Sequence, residues 1–146
     1  MQLHDRTNVR TLTPKAIGGP AVLIVADLSF ISLTLALPAD RLRGPRCRPG
    51  ADLVPMVKRQ FEVGRERLGA GGVVRDLSPT GPARWPRSSG LAGLLGWGLA
   101  GVTASRLPGP SGNVEFFVHL RQDAPTDESA VARRRQAIAA AVDKGA

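Results

Sequence analysis

Three ionisable residues each stand at one end of an apolar run in this chain. Asp27 and Lys58 directly follow the apolar runs 21–26 and 53–57, and Glu115 lies at the start of a third run. If these runs are strands of an open α/β sheet, the three side chains converge outside the carboxyl ends of the strands, where such sheets bind ligands. A lysine accompanied by two carboxylates can exchange a proton with a bound group. We therefore interpret the chain as part of an enzyme.

The first half of the chain predicts two strands and a helix. Residues 21–26 are uninterrupted by polar side chains, which is typical of a parallel strand that is buried on both faces. A helix or helical turn is predicted to begin near Ser29. Residues 53–57 are predicted to form a second strand after a turn at 49–52. Pro55 is disfavoured inside that strand, because proline cannot donate to a central ladder.

The second half predicts two further strands and a C-terminal helix. Residues 102–105 and 114–120 are the third and fourth strands, and the Gly/Pro-rich loop 109–113 is short enough for an antiparallel return. The helix is predicted over 126–145, between a threonine that can cap its start and a glycine that can end it.

Composition is consistent with about one globular domain that has a basic character. The 146 residues are 42% hydrophobic and 22% charged, and their formal net charge is +8. This charge favours a polyanionic partner, with nucleic acid first, whereas a solvated basic surface is the alternative. Cys47 is the only cysteine, which excludes an internal disulfide. His4 and His119 have no ligand-like spacing, so we expect no metal site.

A membrane span is the weaker interpretation of residues 21–37, although they are almost wholly apolar. Asp27 lies inside this run, where a charged residue costs about 3 kcal/mol near the centre of a bilayer. The N-terminus also lacks the basic start and apolar core of a signal peptide. We therefore expect no membrane contact and a cytoplasmic location.

Four ordered segments of the chain resemble one known family. They are VADLSFISL (25–33), VKRQFEVGR (57–65), GGVVRD (71–76) and LPGPSGNVEF (107–116). These segments resemble the TlyA group of S-adenosylmethionine-dependent ribosomal-RNA ribose methyltransferases, which are related to the FtsJ (RrmJ) type and are sometimes named hemolysins. The resemblance implies an α/β fold, the C-terminal portion of a Rossmann-like class I methyltransferase. Residues 1–146 would then form a partial FtsJ-like methyltransferase domain.

The same resemblance implies roles for individual residues. Asp27, Lys58 and Glu115 match three members of a Lys-Asp-Lys-Glu catalytic set, and Asn8 and Asp27 match positions near S-adenosylmethionine. A ribose 2′-hydroxyl is a very weak acid, so its methylation needs in-line positioning and help in losing the proton. We predict that Lys58 is the base, that Asp27 organises the site near the methyl group, and that ribosomal RNA or a ribosomal subunit is the partner.

Each of these three residues also has a plain structural interpretation. Asp27 could only cap the following helix, Lys58 could be an ordinary strand-end lysine, and Glu115 could be an exposed residue at the start of a strand. These interpretations are favoured when each residue is taken alone. The order of the three residues and the sequences around them favour the catalytic interpretation.

Departures from the family pattern bear on activity. The family's first catalytic lysine, its glycine-rich cofactor loop and its N-terminal RNA-binding domain have no match here, so we expect the isolated chain to be inactive. Arg59 replaces a proline that usually follows the lysine. Residues 38–49 and 77–96 are rich in Pro, Gly and Arg where the family has helices, and we interpret them as frame-shifted.

The alternative function is that of a non-catalytic remnant that binds RNA through charge. A membrane-active toxin is disfavoured, because no amphipathic or spanning segment supports it.

Overall fold

The predicted strands form one mixed α/β sheet. In the computed structural model they are β1 (Ala21–Ala26), β2 (Cys47–Lys58), β3 (Gly98–Ala104) and β4 (Glu115–Arg121), and their order across the sheet is β1-β2-β4-β3. β1 and β2 run parallel, whereas β4 is antiparallel to both β2 and β3. The predicted α/β class and the antiparallel return between β3 and β4 are confirmed.

The structure describes residues 3–36, 47–63, 68–74 and 97–121, together with positions 129, 132, 136–137 and 139–141. Helix α1 (Leu33–Ala36) follows β1, and helix α2 (Arg59–Glu62) follows β2. Three 3₁₀ turns cover Val9–Thr11, Lys15–Ile17 and Ala70–Gly72. The described positions between 129 and 141 are helical and lie within the helix predicted over 126–145. Of the segments interpreted as frame-shifted, residues 38–46 and 77–96 lie outside the described residues.

One face of the sheet carries the core. The β2–β4 register pairs Leu53 with Leu120 and Val57 with Phe116, and all four side chains are fully buried. Burying each aliphatic or aromatic side chain of this size stabilises the fold by about 1.5–3 kcal/mol. The same cluster includes Leu33, Ala36, Trp97 and Ala141. Side chains alternate between the two faces of a strand. Lys58, which follows Val57, and Glu115, which precedes Phe116, therefore belong to the opposite face of the sheet.

β1 lies at an edge of the sheet, and the prediction that it is covered on both faces is wrong for the described residues. β2 is its only neighbour in the described sheet. Val22, Leu23 and Val25 are all exposed, Val25 to 72%. An apolar edge strand without a charged residue or proline is unusual, because such edges promote association with other chains. The sequence of β1 is that of an interior strand, whereas its position is peripheral.

β2 is longer than predicted because the expected turn at 49–52 lies inside it. Gly50 adopts a φ of +75°, and the β1–β2 register shifts between Ala21 and Leu23. A glycine with positive φ permits this local irregularity without ending the strand. Pro55 is accommodated in the same strand: the β2–β4 pairing continues in one register on both sides of it, from Leu53 to Met56.

The other predicted elements differ from the structure at their boundaries. β3 begins four residues before the predicted strand 102–105 and ends one residue before its end, and β4 is shifted by one residue from 114–120. The helix expected near Ser29 begins only at Leu33, so neither Asp27 nor Ser29 caps it. Within the described ranges no helix is both long enough and apolar enough to cross a membrane.

Candidate active site

Lys58, Asp27 and Ser29 meet where β1 and β2 end. Because Ala26 pairs with Pro55, Asp27 leaves β1 beside the last residues of β2. Lys58 Nζ lies 2.6 Å from Asp27 Oδ1 and donates a hydrogen bond to Ser29 Oγ at 3.0 Å. The lysine side chain is 14% exposed, whereas that of Asp27 is 66% exposed. The amine is thus held in place while the carboxylate stays open to a ligand.

Arg59, the residue predicted to depart from the family pattern, opens α2 and is buried. Its side chain is therefore withdrawn from solvent, and it does not line the pocket that Lys58 lines. With arginine at this position, Lys58 still reaches both Asp27 and Ser29.

Glu115 lies directly across the β2–β4 ladder from Lys58 and is 7% exposed. The alternative interpretation of Glu115, as an exposed residue at the start of a strand, is therefore wrong. Its carboxylate packs against Gly109, where an added Cβ would lie 2.8 Å from Glu115 Oε1. The Gly109 backbone N–H in turn donates to the Asn113 carbonyl at 2.9 Å. The loop before β4 thus fits closely around this carboxylate.

Asn113 joins the loop before β4 to residues 69–74. Its Oδ1 accepts a hydrogen bond from the Val74 backbone N–H at 2.9 Å, and its Nδ2 donates to the Gly72 carbonyl at 3.1 Å. Asn113 is 4% exposed, so its bond to Val74 is buried and its bond to Gly72 is partly buried. Sequence reasoning assigned Asn113 only to a turn, because its partners lie about 40 residues away in the chain.

Lys58, Glu115 and Asn113 line one pocket of about 680 Å³. An aromatic pair forms another part of its wall: the rings of Phe30 and Phe61 lie 5.2 Å apart at an angle of 48°. Phe30 is 91% exposed and has a φ of +63°, an uncommon conformation for a non-glycine residue. The pocket therefore combines ionisable groups with exposed aromatic surface.

Two of the predicted site residues, Asp27 and Asn8, are not among the residues that line this pocket. Asp27 contacts it only through Lys58. Asn8 lies before β1 in the chain. Its Oδ1 accepts a hydrogen bond from the Arg10 backbone N–H at 3.0 Å, so it caps the 3₁₀ turn Val9–Thr11. Its assignment to the cofactor stays a prediction. Among the described residues no three His, Cys, Asp or Glu side chains cluster in a way that could hold a metal ion.

The sequence and the structure both match known proteins. The profile of the FtsJ-like methyltransferase family matches residues 1–122. The 16S/23S rRNA (cytidine-2′-O)-methyltransferase TlyA of Mycobacterium tuberculosis is 55% identical in an alignment of 121 residues that covers 80% of this chain and 42% of that protein. YqxC of Bacillus subtilis is 38% identical over 117 residues, which is 80% of this chain and 40% of that protein.

Two solved structures that carry the hemolysin name are similar in fold and are each 30% identical. The Streptococcus thermophilus protein has a TM-score of 0.72, with 95% of this chain and 49% of that chain covered. The Lactococcus lactis protein has a TM-score of 0.74, with 95% and 63% covered. The chain spans less than half the length of the curated relatives that it matches. On its sequence and its fold, the chain belongs to the FtsJ-like methyltransferase family.

Proposed function

We propose that this chain takes part in S-adenosylmethionine-dependent methylation of ribose 2′-hydroxyls in ribosomal RNA, in the cytoplasm. The observation that carries the proposal is the position of Lys58, held by Asp27 and Ser29 at the wall of a pocket that Glu115 also lines. The name of the M. tuberculosis relative, a 16S/23S rRNA (cytidine-2′-O)-methyltransferase, supports the same substrate class.

In this proposal Lys58 acts as the neutral amine, and its nitrogen accepts the proton that the 2′-hydroxyl loses as the hydroxyl oxygen takes up the methyl group. Asp27 and Ser29 fix the position of the amine, and Glu115 adds a second carboxylate across the β2–β4 ladder. An amine held in one position needs no reorganisation when the hydroxyl approaches, which lowers the entropic cost of proton transfer. Asp27 and Glu115 therefore act as positioning and charge-tuning groups around one base.

The Asp27 side chain suits S-adenosylmethionine, because an open carboxylate at a strand end complements a cationic ligand. When bound, this cofactor supplies a methyl group on a sulfonium centre. We assign Asp27 to the vicinity of that group and Asn8 to the adenosine part. Neither assignment requires a change in the Lys58–Asp27 contact.

The aromatic pair, in which Phe30 is exposed and Phe61 is half-buried, suits an RNA substrate. Proteins that read RNA commonly stack unpaired bases on aromatic rings, and Phe30 presents an almost fully exposed ring beside the pocket. The formal net charge of +8 adds attraction for phosphates. We therefore assign Phe30 and Phe61 to contact with a base of the ribosomal RNA.

We further infer that residues 1–146 contribute part of a larger methyltransferase domain. The exposed apolar side chains of β1 and its edge position in the described sheet support this inference, because they fit an interior strand of a wider parallel sheet. The curated relatives, which are more than twice as long as the matched region, also support it.

A chimaera tests the proposal. The part of M. tuberculosis TlyA that precedes its match to this chain is fused to residues 1–146, and transfer of a labelled methyl group from S-adenosylmethionine to ribosomal subunits is measured. The expected product is a ribose 2′-O-methyl group, identified by its resistance to alkaline hydrolysis. Salt-dependent RNA binding with no methyl transfer would instead support the alternative, a non-catalytic RNA-binding chain.

A further inference from the structure

We propose that Glu62 is a positioning residue for Lys58. Glu62 acts on Lys58 through the β1–α1 turn, residues 27–32, and this role rests on the function proposed for the site. Glu62 is the last residue of α2, four residues after Lys58. Its Oε2 accepts a hydrogen bond from the Ser32 hydroxyl and its Oε1 accepts one from the Leu33 backbone N–H, both at 2.7 Å. No catalytic role was predicted for this glutamate.

Glu62 and Lys58 both contact the β1–α1 turn, so the turn and the segment that carries these two residues are joined at two places. Lys58 and Glu62 belong to one continuous segment, β2 followed by α2. Asp27 and Ser29, which hold Lys58 Nζ, both lie in the β1–α1 turn. Pairing of β1 with β2 fixes the start of that turn, and Glu62 fixes its end. Loss of the two Glu62 hydrogen bonds should therefore make the turn more mobile and weaken the contacts of Asp27 and Ser29 with Lys58 Nζ.

The β1–α1 turn needs such an anchor. Phe30, at its centre, has a φ of +63°, and a bulky residue in this conformation persists only when surrounding contacts hold it. A carboxylate is well suited to the task because it offers two acceptor atoms and forms stronger hydrogen bonds than a neutral group. The first backbone N–H groups of α1 also need acceptors from outside the helix.

Ser32 extends the anchor into α1. Its Oγ accepts a hydrogen bond from the Thr34 backbone N–H at 3.2 Å and lies 2.7 Å from Thr34 Oγ1. The Ser32 carbonyl accepts from the Leu35 and Ala36 backbone N–H groups at 3.0 and 3.1 Å. Glu62 thus fixes the residue on which the whole first turn of α1 depends.

The test measures the reactivity of the Lys58 amine in the 146-residue chain. The chain is acetylated with a limiting amount of an N-hydroxysuccinimide ester, and mass spectrometry gives the labelling of Lys58 relative to exposed Lys15. We expect Glu62→Ala to raise this ratio by about threefold to tenfold, because two bonds to a charged acceptor are lost. Glu62→Gln keeps one acceptor and should restore the ratio to within about twofold of the unaltered chain.

Two further variants keep the test decisive. Asp5→Ala removes an exposed carboxylate elsewhere and should leave the ratio unchanged. Ser32→Ala removes one of the two bonds to Glu62, together with the contacts of Ser32 Oγ with Thr34, and should give an intermediate ratio even if Glu62→Ala fails to fold. An unchanged ratio in Ser32→Ala, or in a Glu62→Ala chain with an unchanged melting temperature, would overturn the proposal.

The readout is independent of methyl transfer. Lys58 reactivity is measured on the chain without cofactor or RNA, so an inactive chimaera would contradict the proposed function and leave the role of Glu62 intact. Conversely, an active chimaera with unaltered Lys58 labelling in the Glu62 and Ser32 variants would contradict only the role of Glu62.

Discussion

Replacing Gly109 with alanine should displace the Glu115 carboxylate. The added Cβ would lie 2.8 Å from Oε1, so the carboxylate must move by about 0.7 Å to reach an ordinary contact near 3.5 Å. The Asn113 carbonyl, 3.4 Å from the same Cβ position, restricts movement of the loop itself. Because the obstructing atom is the end of a flexible side chain that lines the pocket, the carboxylate can shift at modest cost, and we expect the free energy of unfolding to fall by about 1 kcal/mol, the low end of the range for overpacking.

Urea unfolding of the 146-residue chain, followed by tryptophan fluorescence, measures this change. Gly101→Ala is the matched control, since its nearest neighbour would be His119 Cβ at 4.0 Å, an ordinary contact. It should alter the free energy of unfolding by no more than about 0.5 kcal/mol. In a chain that already carries Glu115→Ala, the Gly109→Ala change should cost almost nothing, because the obstructing carboxylate is gone. An equal cost in both backgrounds would refute this reasoning.

Two other substitutions test the walls of the pocket. Asn113→Ala leaves the Val74 N–H and the Gly72 carbonyl without their shielded partner and should lower the free energy of unfolding by about 1–3 kcal/mol, measured by urea unfolding; an unchanged value would contradict the described contacts. Phe30→Ala should weaken binding of ribosomal RNA to the chimaera by about tenfold in a filter-binding assay, as expected for loss of one stacked base. Leu107→Ala, which removes another exposed apolar side chain, should leave that affinity unchanged.

The residues at the strand ends could be predicted from the sequence because their positions depend only on the topology of the sheet. Asp27 and Lys58 follow apolar runs, and the ends of neighbouring parallel strands meet at one edge of a sheet. Their 2.6 Å contact needs only a correct pairing of β1 with β2. Glu115 could be placed in the same way, since its run returns antiparallel beside β2.

Long-range contacts of single side chains could not be predicted in this way. Asn113 meets Val74 and Glu62 meets Leu33 across 39 and 29 residues of chain, and no local pattern encodes such partners. The extent of β2 was missed because Pro49 and Gly50 are typical of turns, whereas here they lie within a strand. The burial of β1 was overestimated because an apolar sequence is typical of an interior strand but does not tell how many strands lie beside it in the described sheet.

Methyl transfer by a chimaera that carries Lys58→Met tests the central claim most directly. Lys15→Met is the matched control, because it removes an exposed lysine that does not line the pocket. If Lys58 is the base, its replacement should lower kcat by about a hundredfold or more, while Lys15→Met retains full activity. Methylation that persists at an unaltered rate in the Lys58→Met chimaera would contradict the account.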